Sequence, residues 1–178
     1  MIAKNPCKMI TGTVRLSYAN VWEPRETPGG TERYGCTALI PKADTETLDR
    51  VNEAVGAALA EGGKRFGEGW KADRLPVHDG DKEREDDAYR GCWYIGAYSR
   101  TAPQIVDRNV EPITDRGEIY SGVYARAALR FYPYGGKDAN GVACALGNIQ
   151  KVRDGERIGG SNDPMNEFTV VDDADLPF

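Results

Sequence analysis

Residues 119–134 alternate between two unlike faces when they are read with a period of two, which is the period of a β-strand. The odd positions are mostly apolar and form a face that would be buried: Ile119, Val123, Ala125, Ala127, Leu129 and Phe131. The even positions are rich in tyrosine and arginine: Tyr120, Tyr124, Arg126, Arg130, Tyr132 and Tyr134. A strand of this length would span about 50 Å, so it must bend, and Gly122 predicts the bend.

Residues 92–100 repeat this pattern in short form. One face carries Trp93, Ile95 and Ala97, and the other carries Tyr94, Tyr98 and Arg100. A tyrosine ring offers a flat apolar face to a nucleobase, and a guanidinium group can contact a phosphate, so such a surface suits single-stranded nucleic acid. The alternative is a solvated face whose tyrosines pack on a neighbouring loop.

Further strands flank these two segments. The alternation of residues 12–18 and the apolar run 34–40 predict two strands, separated at residues 23–30 by a loop that is rich in proline and glycine. Residues 142–153 predict a last strand, which a hairpin loop with an Asn-Gly signal, at residues 135–141, joins to the central one.

The inward parity of the last strand changes near Gly147, which indicates a β-bulge. If the hairpin pairs in simple register, Lys151 and Arg153 lie close to the basic face of the central strand.

One helix is predicted between the second strand and the polar segment that follows it. Asp44 or Thr45 can cap its N-terminus, the helix continues through Leu59, and Gly62-Gly63 would end it. Its apolar stripe consists of Leu48, Val51, Val55, Ala58 and Leu59. Several coiled strands with one covering helix predict a mainly β protein built on a small closed barrel.

The negative charge is concentrated near the C-terminus. The formal net charge is -5, yet residues 161–178 contain five acids and no lysine or arginine, so residues 1–160 are formally neutral. Periodicity also disappears after Gly159-Gly160. We therefore expect one domain at residues 1–160 and a disordered acidic tail at residues 161–178. A neutral domain with a locally basic strand is compatible with DNA binding.

The cysteines and the apolar segments indicate a cytoplasmic protein. Four cysteines are spread singly along the chain without the spacing of a zinc site, and we expect reduced, buried thiols: Cys7, Cys36, Cys92 and Cys144. No apolar run reaches the roughly 18 residues of a membrane helix, and the N-terminus lacks the apolar core of a signal peptide.

The acids of residues 79–87, next to the single histidine, His78, leave a catalytic alternative open. A metal-dependent nuclease could use the carboxylates of Asp79, Asp81, Asp86 or Asp87. Lysine and arginine are interleaved with these acids, however, and the segment lacks periodicity, which is typical of a solvated loop.

The last seven residues resemble the acidic C-terminal peptide of bacterial single-stranded DNA-binding proteins, in which aspartates precede an apolar residue, a proline and a terminal phenylalanine. The matching residues here are Asp172, Asp173, Asp175, Leu176, Pro177 and Phe178. The resemblance implies that this tip recruits replication, recombination and repair proteins. Phe178 would enter an apolar pocket while its carboxylate and the aspartates meet basic residues.

A larger part of the chain resembles a family of phage-encoded OB-fold single-stranded DNA-binding proteins. The similar segments are residues 12–19, 38–42, 119–122 and 149–152. This resemblance implies an OB barrel that coats single-stranded DNA without sequence specificity in phage replication or recombination, with no catalysis and no cofactor.

Together these observations predict a DNA-binding face and leave one further alternative. Tyr94, Tyr98, Tyr120, Tyr124 and Tyr132 would stack on bases, and the phosphate-contacting residues would be Arg15, Arg100, Arg126, Arg130, Lys151 and Arg153. The alternative is an adaptor whose tyrosine face meets another protein. The sequence leaves the oligomeric state open, a homo-oligomer included.

Overall fold

The computed structural model describes residues 4–159, together with residues 171 and 174. In this part of the chain there are eight strands and two α-helices. Their bounds are β1 Lys8–Ile10, β2 Val14–Glu26, β3 Glu32–Pro41, α1 Thr45–Phe66, β4 Val77–Asp79, α2 Gly80–Glu83, β5 Cys92–Ser99, β6 Ile105–Val106, β7 Tyr124–Tyr134 and β8 Gly141–Arg153. No helix among the described residues is both long enough and apolar enough to cross a membrane.

Five of the strands close into a barrel. Around the ring the order is β7, β2, β3, β5 and β8, and β8 pairs back onto β7. All neighbours in the ring are antiparallel except the β5–β8 pair. Strand β1 adds to β7, β4 adds to β5, and β6 adds to β8. The prediction of a small, OB-fold-like β-barrel is confirmed.

The barrel interior is filled by the apolar face that the alternation of β7 predicts. Ala125, Ala127, Leu129 and Phe131 are all buried, and they share the core with inward residues of the other strands: Leu16, Ile40, Ile95 and Ile149. Helix α1 packs mainly on β7 and contributes Val51, Ala54 and Ala58 to the same core. The even positions of β7 therefore point away from the interior.

Helix α1 begins as predicted but ends later. The Asp44 carboxylate accepts a hydrogen bond of 3.1 Å from the Thr47 N–H and caps the N-terminus. The helix continues past Gly62-Gly63 to Phe66. Gly62 is buried under the ring of Trp70, where a Cβ would lie 2.3 Å from ring carbons. This glycine provides space for the tryptophan instead of ending the helix.

The loop predicted at residues 23–30 is much shorter in the structure. Strand β2 continues to Glu26 and pairs with β3 through Arg25 with Arg33 and Glu26 with Glu32. A register shift before Arg25 accommodates Pro24, which has no N–H to donate. Only the turn at residues 27–31 connects the two strands, so this segment is a long hairpin.

The central strand begins after its bend. Gly122 has a φ of 116°, and the carbonyl oxygen of Glu156 occupies the place of a Cβ. Strand β7 starts two residues later, at Tyr124, so residues 119–123 lie outside the strand. The bulge near Gly147 is confirmed, because Ala127 pairs with Ile149 while Leu129 pairs with Leu146.

Candidate nucleic-acid interface

A groove with a volume of about 1260 Å³ crosses the outer face of the barrel. Residues of β2, β3, β5, β8 and β7 line it, among them the small residues Gly35, Gly96 and Ala143. The β2–β3 hairpin and residues 73–78 complete the lining. The groove therefore lies on the face to which the even positions of β5 and β7 point.

Tyr98 is the most exposed of the predicted stacking residues that line this groove. Half of its surface is accessible, and its ring lies over two glycines. Gly35 is its direct partner on β3, and a Cβ there would lie 2.5 Å from the ring; a Cβ on Gly96 would lie 3.1 Å from the hydroxyl. The two glycines thus give the ring a flat support, while its other side faces solvent.

Tyr94 lies beside Tyr98 on β5 and forms part of an aromatic group. The ring of His78 stacks on it at 5.0 Å between centroids and 24° between planes, and buried Tyr89 meets it edge-on at 5.2 Å. Burial raises the pKa of Tyr94, and the Glu83 carboxylate acts in the same direction. Tyr94 therefore stays neutral, and its ring and that of His78 form one stacked platform.

Strand β7 contributes Tyr132 and Tyr134 to the groove lining. The guanidinium of Arg130 lies 5.3 Å from the centre of the Tyr132 ring. A cation held over an aromatic face in this way can turn to a phosphate while a base occupies the ring.

Four arginines line the groove, and two of them form an unusual pair. Arg25 and Arg33 are direct cross-strand partners on the β2–β3 hairpin, where like charges destabilise each other. Among the described residues, none of the three side chains of Arg25, Arg33 and Arg74 has a hydrogen-bond or ion-pair partner. An anion bound between Arg25 and Arg33 would relieve their repulsion.

The fourth arginine, Arg84, is already engaged. It donates hydrogen bonds to Asp86 at 2.6 Å and to the Tyr18 hydroxyl at 2.8 Å, and it lies 4.4 Å from the centre of the Tyr89 ring. The hydrogen bond that Arg84 donates to Asp86 raises the pKa of Arg84 further, so Arg84 is permanently charged. The lining also contains three acids, Glu26, Asp73 and Glu83.

Several predicted residues lie elsewhere, around the start of β7. The Tyr124 ring has the guanidinium of Arg153 at 3.9 Å and that of Arg15 at 5.7 Å, and Gly155 packs against it. The hydroxyl of Tyr120 donates to Asp154 at 2.9 Å. These rings are covered by the protein's own groups to a greater extent than Tyr98.

Two further predicted phosphate contacts are also near this second group. Lys151 is only 8% exposed, and its ammonium contacts Glu118 at 2.5 Å and Asp154 at 2.8 Å. Burial opposes the charge of Lys151, but these two carboxylates outweigh it and hold the pKa of Lys151 above its usual range. Arg126 is exposed and donates to the Thr11 carbonyl at 3.2 Å.

The structure therefore divides the predicted face in two. Tyr94, Tyr98 and Tyr132 line the groove, and Arg130 contacts one of them. Arg100 is exposed just after β5. The second group consists of Arg15, Tyr120, Tyr124, Arg126, Lys151 and Arg153. The predicted partner-binding residues of the tail, Asp172, Asp173, Asp175, Leu176, Pro177 and Phe178, lie outside the described residues.

Several groove residues were not among the binding residues that the sequence pattern predicted: Tyr18, Arg25, Arg33, Arg74, His78, Arg84 and Tyr134. The period-two pattern could not place Tyr18 on the outer face, because its left-handed backbone, with a φ of 47°, interrupts the alternation of β2. Arg25 and Arg33 flank the hairpin turn symmetrically. A prediction that residues 27–31 form a tight turn would have identified Arg25 and Arg33 as cross-strand partners.

The carboxylates of the catalytic alternative are engaged with cations. Lys42 contacts both Asp79 and Asp81 at 2.7 Å, and these hydrogen bonds lower the pKa of each carboxyl. Asp86 pairs with Arg84, and Asp87 pairs with Arg90. Within residues 4–159 no group of three histidine, cysteine, aspartate or glutamate residues could hold a metal ion.

Three of the four cysteines are buried, as expected, and the fourth is partly accessible. Cys7, Cys36 and Cys144 are buried and Cys92 is half-buried, and all four are free thiols. Burial raises the pKa of Cys36 to about 12. This thiol is therefore protonated at neutral pH.

Comparison with known proteins identifies the family. The family model described as the single-stranded DNA-binding protein of Enterobacter phage Enc34 matches residues 7–176. A protein of Acyrthosiphon pisum secondary endosymbiont phage 1 is 31% identical over 171 residues, which cover 90% of this chain and 92% of the relative.

Solved structures show the same fold. The single-stranded DNA-binding protein from bacteriophage Enc34, in complex with single-stranded DNA, has a TM-score of 0.78 at 23% identity and covers 85% of this chain and 89% of its own. The single-stranded DNA-binding protein encoded by bacteriophage T7 has a TM-score of 0.60 at 17% identity, covering 91% and 94%. The family expected from the sequence is confirmed: this chain belongs to the Enterobacter phage Enc34 family of single-stranded DNA-binding proteins.

Proposed function

We propose that this protein binds single-stranded DNA in the groove on the outer face of its barrel and coats it without sequence specificity. The observation that carries the proposal is the Tyr98 ring, half exposed on its support of two glycines. The groove around it also contains arginines that have no side-chain partner among the residues that the structure describes. The family to which the chain belongs and a structural neighbour in complex with single-stranded DNA support the same function.

Base stacking would supply the sequence-independent part of the affinity. Tyr98, Tyr132 and the Tyr94–His78 platform present rings in one groove. Stacking on an aromatic side chain contributes about 1–3 kcal/mol per base and tolerates any base, because every base has a π-face. A duplex hides those faces, so the groove would prefer unpaired DNA.

Phosphate contacts would come from the arginines beside these rings. Arg25 and Arg33 would share an anion that relieves their mutual repulsion, and Arg74 and Arg130 would bind along the same path. Each phosphate neutralised on a single strand should add about 0.7 to the slope of log affinity against log salt. Binding should therefore weaken steeply as the salt concentration rises.

An electrophoretic shift titration tests the proposal directly. Single- and double-stranded oligonucleotides of the same length are titrated with the protein at two salt concentrations, together with Tyr98→Ala and the matched variant Tyr98→Phe. We expect tighter binding to the single strand, a strong salt dependence and loss of affinity only in the alanine variant. Equal affinity for the duplex would contradict the proposed use of exposed bases.

The second group of residues around Tyr124 remains a prediction about the path of the strand. The double variant Tyr124→Ala with Arg126→Ala removes one ring and one exposed cation from it. Weaker binding of this variant would extend the DNA path to the start of β7, whereas unchanged binding would confine the path to the groove.

The proposed role involves binding alone, with no catalytic step and no cofactor. Incubation of labelled single-stranded DNA with the protein and magnesium or manganese tests the nuclease alternative. Cleavage of the DNA would indicate an enzyme. A lack of tyrosine or tryptophan quenching on addition of single-stranded DNA would instead favour the adaptor alternative.

We extend the proposal to residues 161–178 as an acidic tail that recruits replication or recombination proteins in the cytoplasm of the phage host. Its first residues follow a segment near one end of the groove. The Ile158 N–H donates to the Ser121 carbonyl, and the Ser121 hydroxyl accepts from the N–H of Ala19, the neighbour of groove residue Tyr18.

When DNA is absent, the tail aspartates would compete weakly for the groove arginines. Removal of residues 161–178 should therefore tighten binding to oligo-dT at low salt, where electrostatic competition is strongest. Unchanged affinity of the truncated protein under these conditions would rule out the competition and leave the recruitment role to be tested with partner proteins.

A further inference from the structure

An exposed aromatic ring lies beyond one end of the groove, at the C-terminus of α1. Phe66 is 39% exposed. The guanidinium of Arg65 lies 5.3 Å from its ring centre, and Trp70 stacks on it at 5.7 Å with 23° between planes. We call Lys64, Arg65, Phe66, Trp70 and Lys71 the Phe66 patch.

The patch is in contact with the end of the groove. The Trp70 indole N–H donates to the carbonyl of groove residue Tyr134 at 3.3 Å. The Phe66 ring lies against Gly135, the next residue, where a Cβ would be 3.3 Å from ring carbons. Two neighbouring residues of the β7–β8 hairpin therefore link the two surfaces: Tyr134 lines the end of the groove, and Gly135 supports the Phe66 ring.

The charge of the patch suits a polyanion. Lys64, Arg65 and Lys71 are exposed, and within the described residues none of them forms an ion pair. The acid within the same stretch is Glu68. An exposed ring beside unpaired cations is the combination that binds an unpaired nucleotide through its base and its phosphate together.

We infer that the Phe66 patch is an additional stacking subsite, which takes a nucleotide of the same single strand after it leaves the groove at Tyr134. The base packs on Phe66, and Arg65 and Lys71 contact the neighbouring phosphates. This inference rests on the proposed function and adds to it the direction in which the strand leaves the groove.

A structural role of the same residues makes a different prediction. Lys64 and Arg65 lie in the last turn of α1, where cations stabilise the helix dipole, and the Phe66–Trp70 pair supports the hairpin. If that were their whole role, a variant would weaken the binding of every oligonucleotide equally, since the hairpin also holds Tyr132 and Tyr134. An additional subsite affects only strands that are long enough to reach it.

The experiment compares oligo-dT of about 6 nucleotides with oligo-dT of about 20, a range that spans the site sizes of OB folds. Phe66→Leu keeps apolar bulk against Trp70 but removes the flat ring, and Phe66→Tyr restores a ring. We expect Phe66→Leu to bind the long strand at least about fivefold more weakly and the short strand as the wild type does. Phe66→Tyr should bind both normally.

The matched control is Val110→Ala, which shortens a side chain that is 68% exposed and does not line the groove; it should change neither affinity. If Phe66→Leu lost affinity equally for both oligonucleotides, or for neither, the subsite would be overturned. The proposed function would remain intact in either case, provided that the wild type binds the short strand. If the wild type bound neither oligonucleotide, both proposals would fall.

Discussion

Replacement of Tyr98 by alanine should remove a stacking ring from the groove with little effect on folding. The ring is half exposed and rests on Gly35 and Gly96, so its removal uncovers backbone at the surface instead of opening a cavity in the core. We therefore expect the free energy of unfolding to change by less than about 1 kcal/mol, as for most surface substitutions.

The expected loss of DNA affinity is larger. One base stacked on an aromatic ring contributes about 1–3 kcal/mol, which corresponds to about 5- to 150-fold in the dissociation constant. No charge is removed, so the slope of log affinity against log salt should not change. A second variant tests the support of the ring: Gly35→Ala places a Cβ 2.5 Å from the Tyr98 ring and should displace it, with a loss in the same range.

Fluorescence anisotropy of a labelled oligo-dT at several salt concentrations measures both the affinity and the slope, and urea denaturation measures the stability of each variant. Tyr98→Phe keeps the ring and is the control, expected within about twofold of the wild type because only the hydroxyl is lost. Wild-type affinity of Tyr98→Ala, with folding intact, would refute the stacking argument. A changed salt slope would show that the tyrosine acts by positioning charges instead.

Three further outcomes are expected. Combined Arg25→Ala and Arg33→Ala should make the salt slope shallower by about 0.7, because the two arginines share one phosphate, as anisotropy would show; an unchanged slope would place the phosphates elsewhere. Gly122→Ala should lower the free energy of unfolding by about 1–3 kcal/mol, measured in urea, because its φ of 116° disfavours a side chain; wild-type stability would contradict this strain. Lys42 lowers the pKa of Asp79, so their ion pair stabilises the folded protein above the ordinary aspartate pKa. This stabilisation is lost as the pH falls through the lowered pKa. The stability difference between the wild type and Lys42→Met should therefore be constant between about pH 5 and 8 and shrink below about pH 4, whereas a difference that persists in acid would exclude the ion pair as its source.

The sequence by itself determined which residues of the barrel point inward. Because a strand alternates strictly, the apolar odd positions of β7 and of β5 had to face the core, and their tyrosines and arginines had to face outward. The bulge at Gly147 and the N-cap Asp44 were also visible, because each depends on residues close in sequence. Local patterns such as these do not need the partner strand.

Only the tertiary structure decided which outward residues share a surface. Tyr132 and Tyr124 are on the same face of β7, but they lie eight residues apart and the closed barrel twists in between. Tyr132 therefore lines the groove, whereas Tyr124 meets Arg153. Arg33 reaches the groove because it lies on the long β2–β3 hairpin. The prolines and glycines of that segment had predicted a loop instead. Pairing and closure bring together residues far apart in the chain, and the period of a single strand contains no information about them.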